Sequence, residues 1–210
     1  MLDFIDHLQE RLAHPLPGRP AQYSLAHADR QDRSVIPDNP KLAGVLVLFY
    51  PKDKGWHLVL IERTSKYAQD RHKGQISFPG GRHEESDTSM IDTALREAEE
   101  EVGVNPSQVE ILGPLSDLYI PVSNFHVFPQ VGFTTEAPTF VPQPTEVKSI
   151  LEVPFDLFQM PDALQRMDMP IYDGIILPNV PHFKIFGKVV WGATAMMLGE
   201  LLEVVKGHPE

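Results

Sequence analysis

The side chains best placed to do chemistry are Glu97, Glu100 and Glu101, in the run Leu95-Arg96-Glu97-Ala98-Glu99-Glu100-Glu101-Val102-Gly103-Val104. In a helix, at about 100° per residue, these three fall within about 100° of arc, and Glu99 points elsewhere. Ile91, Ala94, Leu95, Ala98 and Val102 fill a separate arc about as wide, so one face packs and another presents carboxylates. Stability alone would not choose this arrangement. Like charges at i,i+4 repel, and the C-terminal end of a helix disfavours anions. A hard cation such as Mg²⁺ or Mn²⁺ reverses the penalty, because it takes several oxygen ligands and leaves positions for water and phosphate oxygens. An isolated E-x-x-E-E is most simply a solvated acidic face. Here it follows a Gly80-Gly81 turn and carries Arg96, which can lock one glutamate through a bidentate contact.

The bulk properties narrow the partners. With 18 basic against 29 acidic side chains, the net charge of −11 repels phosphate backbones and anionic membranes, so an anionic ligand needs a local offset such as bound cations. The absence of cysteine removes thiolate nucleophiles, thiolate metal sites and disulfides together. No stretch approaches the roughly 18 consecutive apolar residues of a membrane span, and the N-terminal 20 residues read as an amphipathic helix rather than a signal peptide. The expected partners are therefore a small-molecule substrate, no nucleic acid and no membrane, with a homodimer as the candidate assembly and the cytoplasm as the expected location.

These residues need a scaffold. Residues 43–50 form a continuous apolar run ended by Pro51, which suits a strand buried on both faces. A turn at residues 52–55 leads to a hairpin partner over 56–63, and a shorter strand at 75–78 is stopped by Pro79-Gly80-Gly81. Asp87 or Thr88 caps the acidic helix, which ends near Val102 with Gly103 in the left-handed C-terminal position. Strands are expected over 109–120, 126–134 and 147–153, a short helix over 156–159, a hairpin of 174–177 with 183–191, and an amphipathic helix over 192–205. Residues 21–41 read as a polar, proline-bearing run. The fold class expected is α+β, an α/β/α sandwich with a mixed sheet and flanking helices. Residues 1–40 form an N-terminal helix and extended arm, and residues 41–210 the main domain with the C-terminal helix.

Gly81-x5-Asp87-x8-Arg96-Glu97-Ala98-x-Glu100-Glu101-x-Gly103-Val104 resembles the Nudix box, G-x5-E-x7-R-E-U-x-E-E-x-G-U, where U is a bulky apolar residue. It departs in Asp87 for Glu, in one extra residue before Arg96, and in the small Ala98. Within that superfamily the chain is similar to the coenzyme A pyrophosphatase group. The similarity lies in Gly74-Gln75-Ile76-Ser77-Phe78-Pro79-Gly80-Gly81, in the lengthened box, and in Val190-Trp191-Gly192-Ala193-Thr194-Ala195. The group's upstream pattern is met partly by Leu60-Ile61-Glu62-Arg63-Thr64-Ser65, with its second arginine matched by Arg71 only after a shift. The resemblance implies a diphosphatase dependent on Mg²⁺ or Mn²⁺, with Gly81 giving a backbone carbonyl and Glu97, Glu100 and Glu101 their carboxylates to the metal. Arg96 would orient Glu97, and the catalytic set would be Arg96, Glu97 and Glu100. Glu97, Glu100 and Glu146 all stay open as general base, Glu146 also as an extra ligand. Arg63, Arg71, Lys73 and Gly80 would contact substrate. The basic run Lys66, Arg71, His72 and Lys73 is either ordinary loop charge or an anchor for the 3′-phosphate and diphosphate of coenzyme A. The implied reaction splits coenzyme A or acyl-CoA into (acyl-)phosphopantetheine and adenosine 3′,5′-bisphosphate. The alternatives are another nucleoside diphosphate derivative, such as ADP-ribose or a dinucleotide, and a non-catalytic nucleotide-binding module.

Overall fold

The computed structural model describes residues 2–31, 35–64, 72–171 and 174–206. Strand β1 (Lys41–Lys52) alternates, with Leu46, Leu48 and Tyr50 on one face and Val47 and Phe49 on the other, and all five are fully buried. Such a strand needs a layer on each side. Helix α1 (Leu2–Leu12) contributes Ile5, Leu8 and Leu12 to the cluster that holds Phe49, and helix α5 (Gly192–Val205) adds Met196, Leu198 and Leu201. The acidic helix α4 (Met90–Val102) closes the opposite face with Ala94, Ala98 and Val102. The result is an α/β/α sandwich of the α+β class.

The sheet is mixed. Strand β2 (Gly55–Arg63) returns antiparallel to β1 through Asp53 and Lys54, both at positive φ, as a two-residue hairpin turn requires. Strand β7 (Phe125–Phe133) runs parallel to β1 on the other edge, and β8 (Val147–Pro154) lies outside β2. Beyond Leu58 the partners β1 and β2 diverge, and the chain fills the fork. Strand β3 (Ile76–Ser77) pairs with β2, and β4 (Gly80–Arg82) pairs with β1. The Gly-Gly segment, expected to stop a strand, thus begins one. The expected strand over 109–120 is two, β5 (Glu110–Pro114) and β6 (Leu118–Ile120), both antiparallel to β7. Pro114 has no N–H with which to extend the ladder.

Three further differences bear on the site. Helices α2 (Gly18–Ser24) and α3 (Ala28–Gln31) occupy part of the proline-bearing run. Because α1 and α2 cover its outer side, α5 is buried almost all round rather than amphipathic. The C-terminal hairpin is a three-stranded sheet of β9 (Leu164–Pro170), β10 (Ile176–Ile185) and β11 (Lys188–Trp191) in the order β11-β10-β9. Pro178 and Pro181 break the sequence pattern of β10, and the register shift between Leu177 and Val180 absorbs the irregularity.

Candidate functional site

Two glycines bring the sheet and the acidic helix together. Gly80, at φ 154°, lies so close to β1 that an added Cβ would stand 2.5 Å from Gly44 O and 2.7 Å from Val45 Cα. The helix approaches the same strand, since a Cβ on Gly44 would meet Met90 O at 2.6 Å and Ala94 N at 2.7 Å. This close contact suits the small Ala94 and Ala98 on the packing face. Gly81 faces α4 directly, and a Cβ there would stand 2.4 Å from the Glu97 carboxyl carbon. The backbone at Gly81 and the Glu97 carboxylate therefore share one space. Ser89, not Asp87 or Thr88, caps α4, its side chain accepting from Asp92 N, while Gly103 at φ 73° ends it as expected. Asp87 is free of the cap because it has another role.

Arg96 is held bidentately, but by Asp87 rather than by a glutamate: Nε donates to Oδ1 at 2.9 Å and Nη2 to Oδ2 at 3.0 Å. Its Nη2 also donates to Arg82 O at 2.9 Å, and Nη1 reaches Glu97 at 3.1 Å and Glu100 at 3.3 Å. The hydrogen bonds from Arg96 hold the Asp87 carboxyl well below the usual range, and Asp87 raises the Arg96 guanidinium in turn. Thr93 Oγ1 donates to Asp87 Oδ2 at 2.9 Å, and His83 Nδ1 lies 2.9 Å from that hydroxyl. The lengthened spacing between Asp87 and Arg96, which spans the loop and the first turns of α4, thus still delivers a carboxylate to the guanidinium.

Glu101 points inward and is 1 % exposed. Gly80 N–H donates to one carboxylate oxygen at 2.9 Å and Arg63 Nη1 to the other at 3.1 Å. Burial nevertheless pushes its pKa up to about 7, with Arg63 and the Gly80 N–H opposing and Glu97 and Glu146 adding repulsion. Glu97 is also raised, first by burial, against Arg96 and together with Glu100 and Glu146. Glu146, far away in sequence and exposed, is thus brought electrostatically close to both helix carboxylates; its carbonyl accepts from Thr64 N at 2.7 Å. Glu100 is the outermost, its side chain 58 % exposed. Among the described residues no group of three or more His, Asp or Glu side chains is gathered as a ready metal-ligand set; Glu101 is paired with Arg63, and Glu97 and Glu100 with Arg96.

The structure links Gly80 and Arg63 to Glu101, Gly81 and Arg96 to Glu97, and Arg96 to Glu100, with Glu146 near enough to act electrostatically on Glu97 and Glu101. Arg63, expected against substrate, has its guanidinium on Glu101. Lys73 is separate and lines a cavity of about 600 Å³ whose walls hold none of these carboxylates. Arg71 and Lys66 lie outside the described residues. Arg30 and Lys188 line the same cavity and were not singled out in the sequence; neither α3 nor the true register of β10 and β11 has a pattern that announces them. Three of the nine histidines, His72, His83 and His126, make separate side-chain contacts, with Gln75, Thr93 and Asp117 respectively.

A family model described as NUDIX domain matches residues 40–174. A Pectobacterium atrosepticum protein named "Uncharacterized Nudix hydrolase NudL" is 36 % identical over 212 residues, covering 99 % of this chain and 95 % of the relative. Arabidopsis thaliana "Nudix hydrolase 22, chloroplastic" is 32 % identical over 213 residues, covering 97 % of this chain and 68 % of the relative. Among solved structures, a Nudix hydrolase from M. Smegmatis, RenU, is similar with a TM-score of 0.53 at 15 % identity, covering 83 % of this chain and 98 % of that one; at that identity the likeness concerns the fold.

Proposed function

The chain belongs to the Nudix hydrolase family, whose members generally use divalent metal ions, and from that premise we propose that it hydrolyses the diphosphate of coenzyme A or acyl-CoA with Mg²⁺ or Mn²⁺. The observation that carries the reaction class is the close fit of the Gly81 backbone against Glu97, with Glu100 and Glu101 on the same helical turn. The donor set fits a hard cation: oxygen ligands only, an excess of negative charge, and two carboxyl groups whose burial disfavours their charged form without a counter-charge. Gly81 O, Glu97, Glu100 and Glu101 would hold the metal, which when bound lowers the pKa of water and neutralises charge on the leaving phosphate.

The chain's own residues do the positioning. Asp87 and Arg82 O fix Arg96, and Arg96 fixes Glu97 and steadies Glu100. Arg63 and the Gly80 N–H hold Glu101 against the Gly80-Gly81 segment. The proton of the attacking water would pass to Glu97, Glu100 or Glu146, and the exposed Glu146 is the one that Arg96 does not occupy. The coenzyme A assignment is supported by the joined Phe78-Pro79-Gly80-Gly81 and lengthened-box motifs.

A panel of coenzyme A, an acyl-CoA, ADP-ribose and a dinucleotide, each with Mg²⁺ and with Mn²⁺, tests the substrate. Coenzyme A or the acyl-CoA should show the highest kcat/KM, and faster cleavage of another diphosphate would displace that choice. Glu100→Gln should lower kcat by roughly 10²–10⁴-fold with the melting temperature unchanged, since its side chain is largely solvated. Full activity in that variant would remove Glu100 from the reaction.

A further inference from the structure

The cavity beside the carboxylate site has a charge pattern at odds with the molecule around it. In a chain of net charge −11, Arg30, Lys73 and Lys188 line it, and no Asp or Glu does so among the described residues. Arg30 is the most telling. It is 7 % exposed, its Nη2 donates to Tyr119 O at 2.9 Å, its side chain also hydrogen-bonds the neutral Tyr23 phenol, and its Nε is buried with no hydrogen-bond partner. Among the described residues no carboxylate pairs with it. A buried guanidinium without a counter-ion is costly, and an anion entering the cavity would offset that cost. Lys73 is exposed and in no ion pair among the described residues, whereas Lys188 is shared with Glu62 at 2.8 Å.

Much of the remaining wall is apolar, including Ile76, Ile120, Met169 and Leu177, and Trp191, partly buried against Met169 and Leu177, also lines it. The cavity also adjoins the reacting centre through the backbone. Gly74 N donates to Arg63 O at 2.8 Å and Arg63 N to Gln75 O at 2.9 Å, so the wall formed by Gly74 and Gln75 is bonded to the residue that holds Glu101. An acyl chain in this space would leave Arg30 still more desolvated and unpaired. We propose that the cavity binds the phosphorylated nucleoside end of the substrate, with Arg30 and Lys73 on its phosphomonoester and Trp191 against its base. The proposal deepens the coenzyme A reading and rests on it for the identity of the ligand.

The test is binding of adenosine 3′,5′-bisphosphate without divalent cation, followed by the indole N–H signals of the two tryptophans. The Trp191 signal should move and that of the core residue Trp56 should not, with adenosine and octanoate far weaker. Lys73→Met and Arg30→Met should each weaken the bisphosphate about tenfold or more, and Arg30→Lys should restore most of the affinity. If Arg30→Met fails to fold, the exposed Lys73→Met decides. A silent Trp191, equal response to octanoate, or unchanged affinity in Lys73→Met overturns the proposal. Coenzyme A cleavage with a silent Trp191 removes the pocket and leaves the reaction. A Trp191 response without coenzyme A cleavage keeps the pocket and removes that substrate.

Discussion

Gly80 and Gly81 are adjacent, both lack a Cβ, and differ in why. Gly80 is pressed onto β1 backbone at positive φ, where neither neighbour can move without disturbing the sheet. Gly81 is pressed onto the end of a flexible glutamate. Gly80→Ala should therefore cost stability, roughly 2–4 kcal/mol, measured by chemical denaturation. Gly81→Ala should fold nearly as well yet lose about 10²-fold in kcat, because Glu97 must swing aside and a displacement near 1 Å is enough for that loss. Equal stability losses in the two variants would contradict this division. The sequence carried the Gly-Gly pair and the i, i+3, i+4 carboxylates, since both are local patterns. It did not carry the partner of Arg96, because Asp87 sits in a loop whose path only the folded chain fixes.

Elements are joined by two buried acids. Glu200, fully buried in α5, accepts from Gly18 N at 3.0 Å, Gln22 Nε2 at 2.8 Å and Ser116 N at 3.2 Å, tying α2 and the β5–β6 connection to the helix. Glu200→Ala leaves those donors unsatisfied and should destabilise by about 3 kcal/mol, read from the denaturation midpoint. Glu62 on β2 binds Lys148 at 2.7 Å on β8 and Lys188 at 2.8 Å on β11, joining the two sheets. Hydrogen bonds from Lys148 and Lys188 lower its pKa from 4.5 to about 2. A depressed acid contributes stability above its unfolded value and loses it as pH falls towards the folded one. The melting temperature of the native chain should thus exceed that of Glu62→Gln above pH 4.5, with the gap closing towards pH 2. A gap independent of pH would deny the ion pairs that role. Neither acid was legible in the sequence, for burial of a lone glutamate depends on elements that arrive from elsewhere.

At the scale of the whole molecule, the N-terminal segment lies outside residues 40–174, the region matched by the family model, yet Ile5, Leu8 and Leu12 are buried in the main core. We propose that it folds as part of that core. Deleting residues 2–17 should destabilise by roughly 5 kcal/mol, given about 1.5–3 kcal/mol for each buried aliphatic side chain, and a loss under about 1 kcal/mol would make it an appendage. The fold class and the acidic helix were readable in order along the chain because hydrophobic period, capping residues and motif spacing are properties of neighbours. The fork that seats residues 76–82, the inward turn of Glu101, the approach of Glu146 and the cationic cavity were decided only by tertiary packing. Each depends on segments far apart in sequence, and the desolvation and close contact that give these groups their character do not exist until those segments meet.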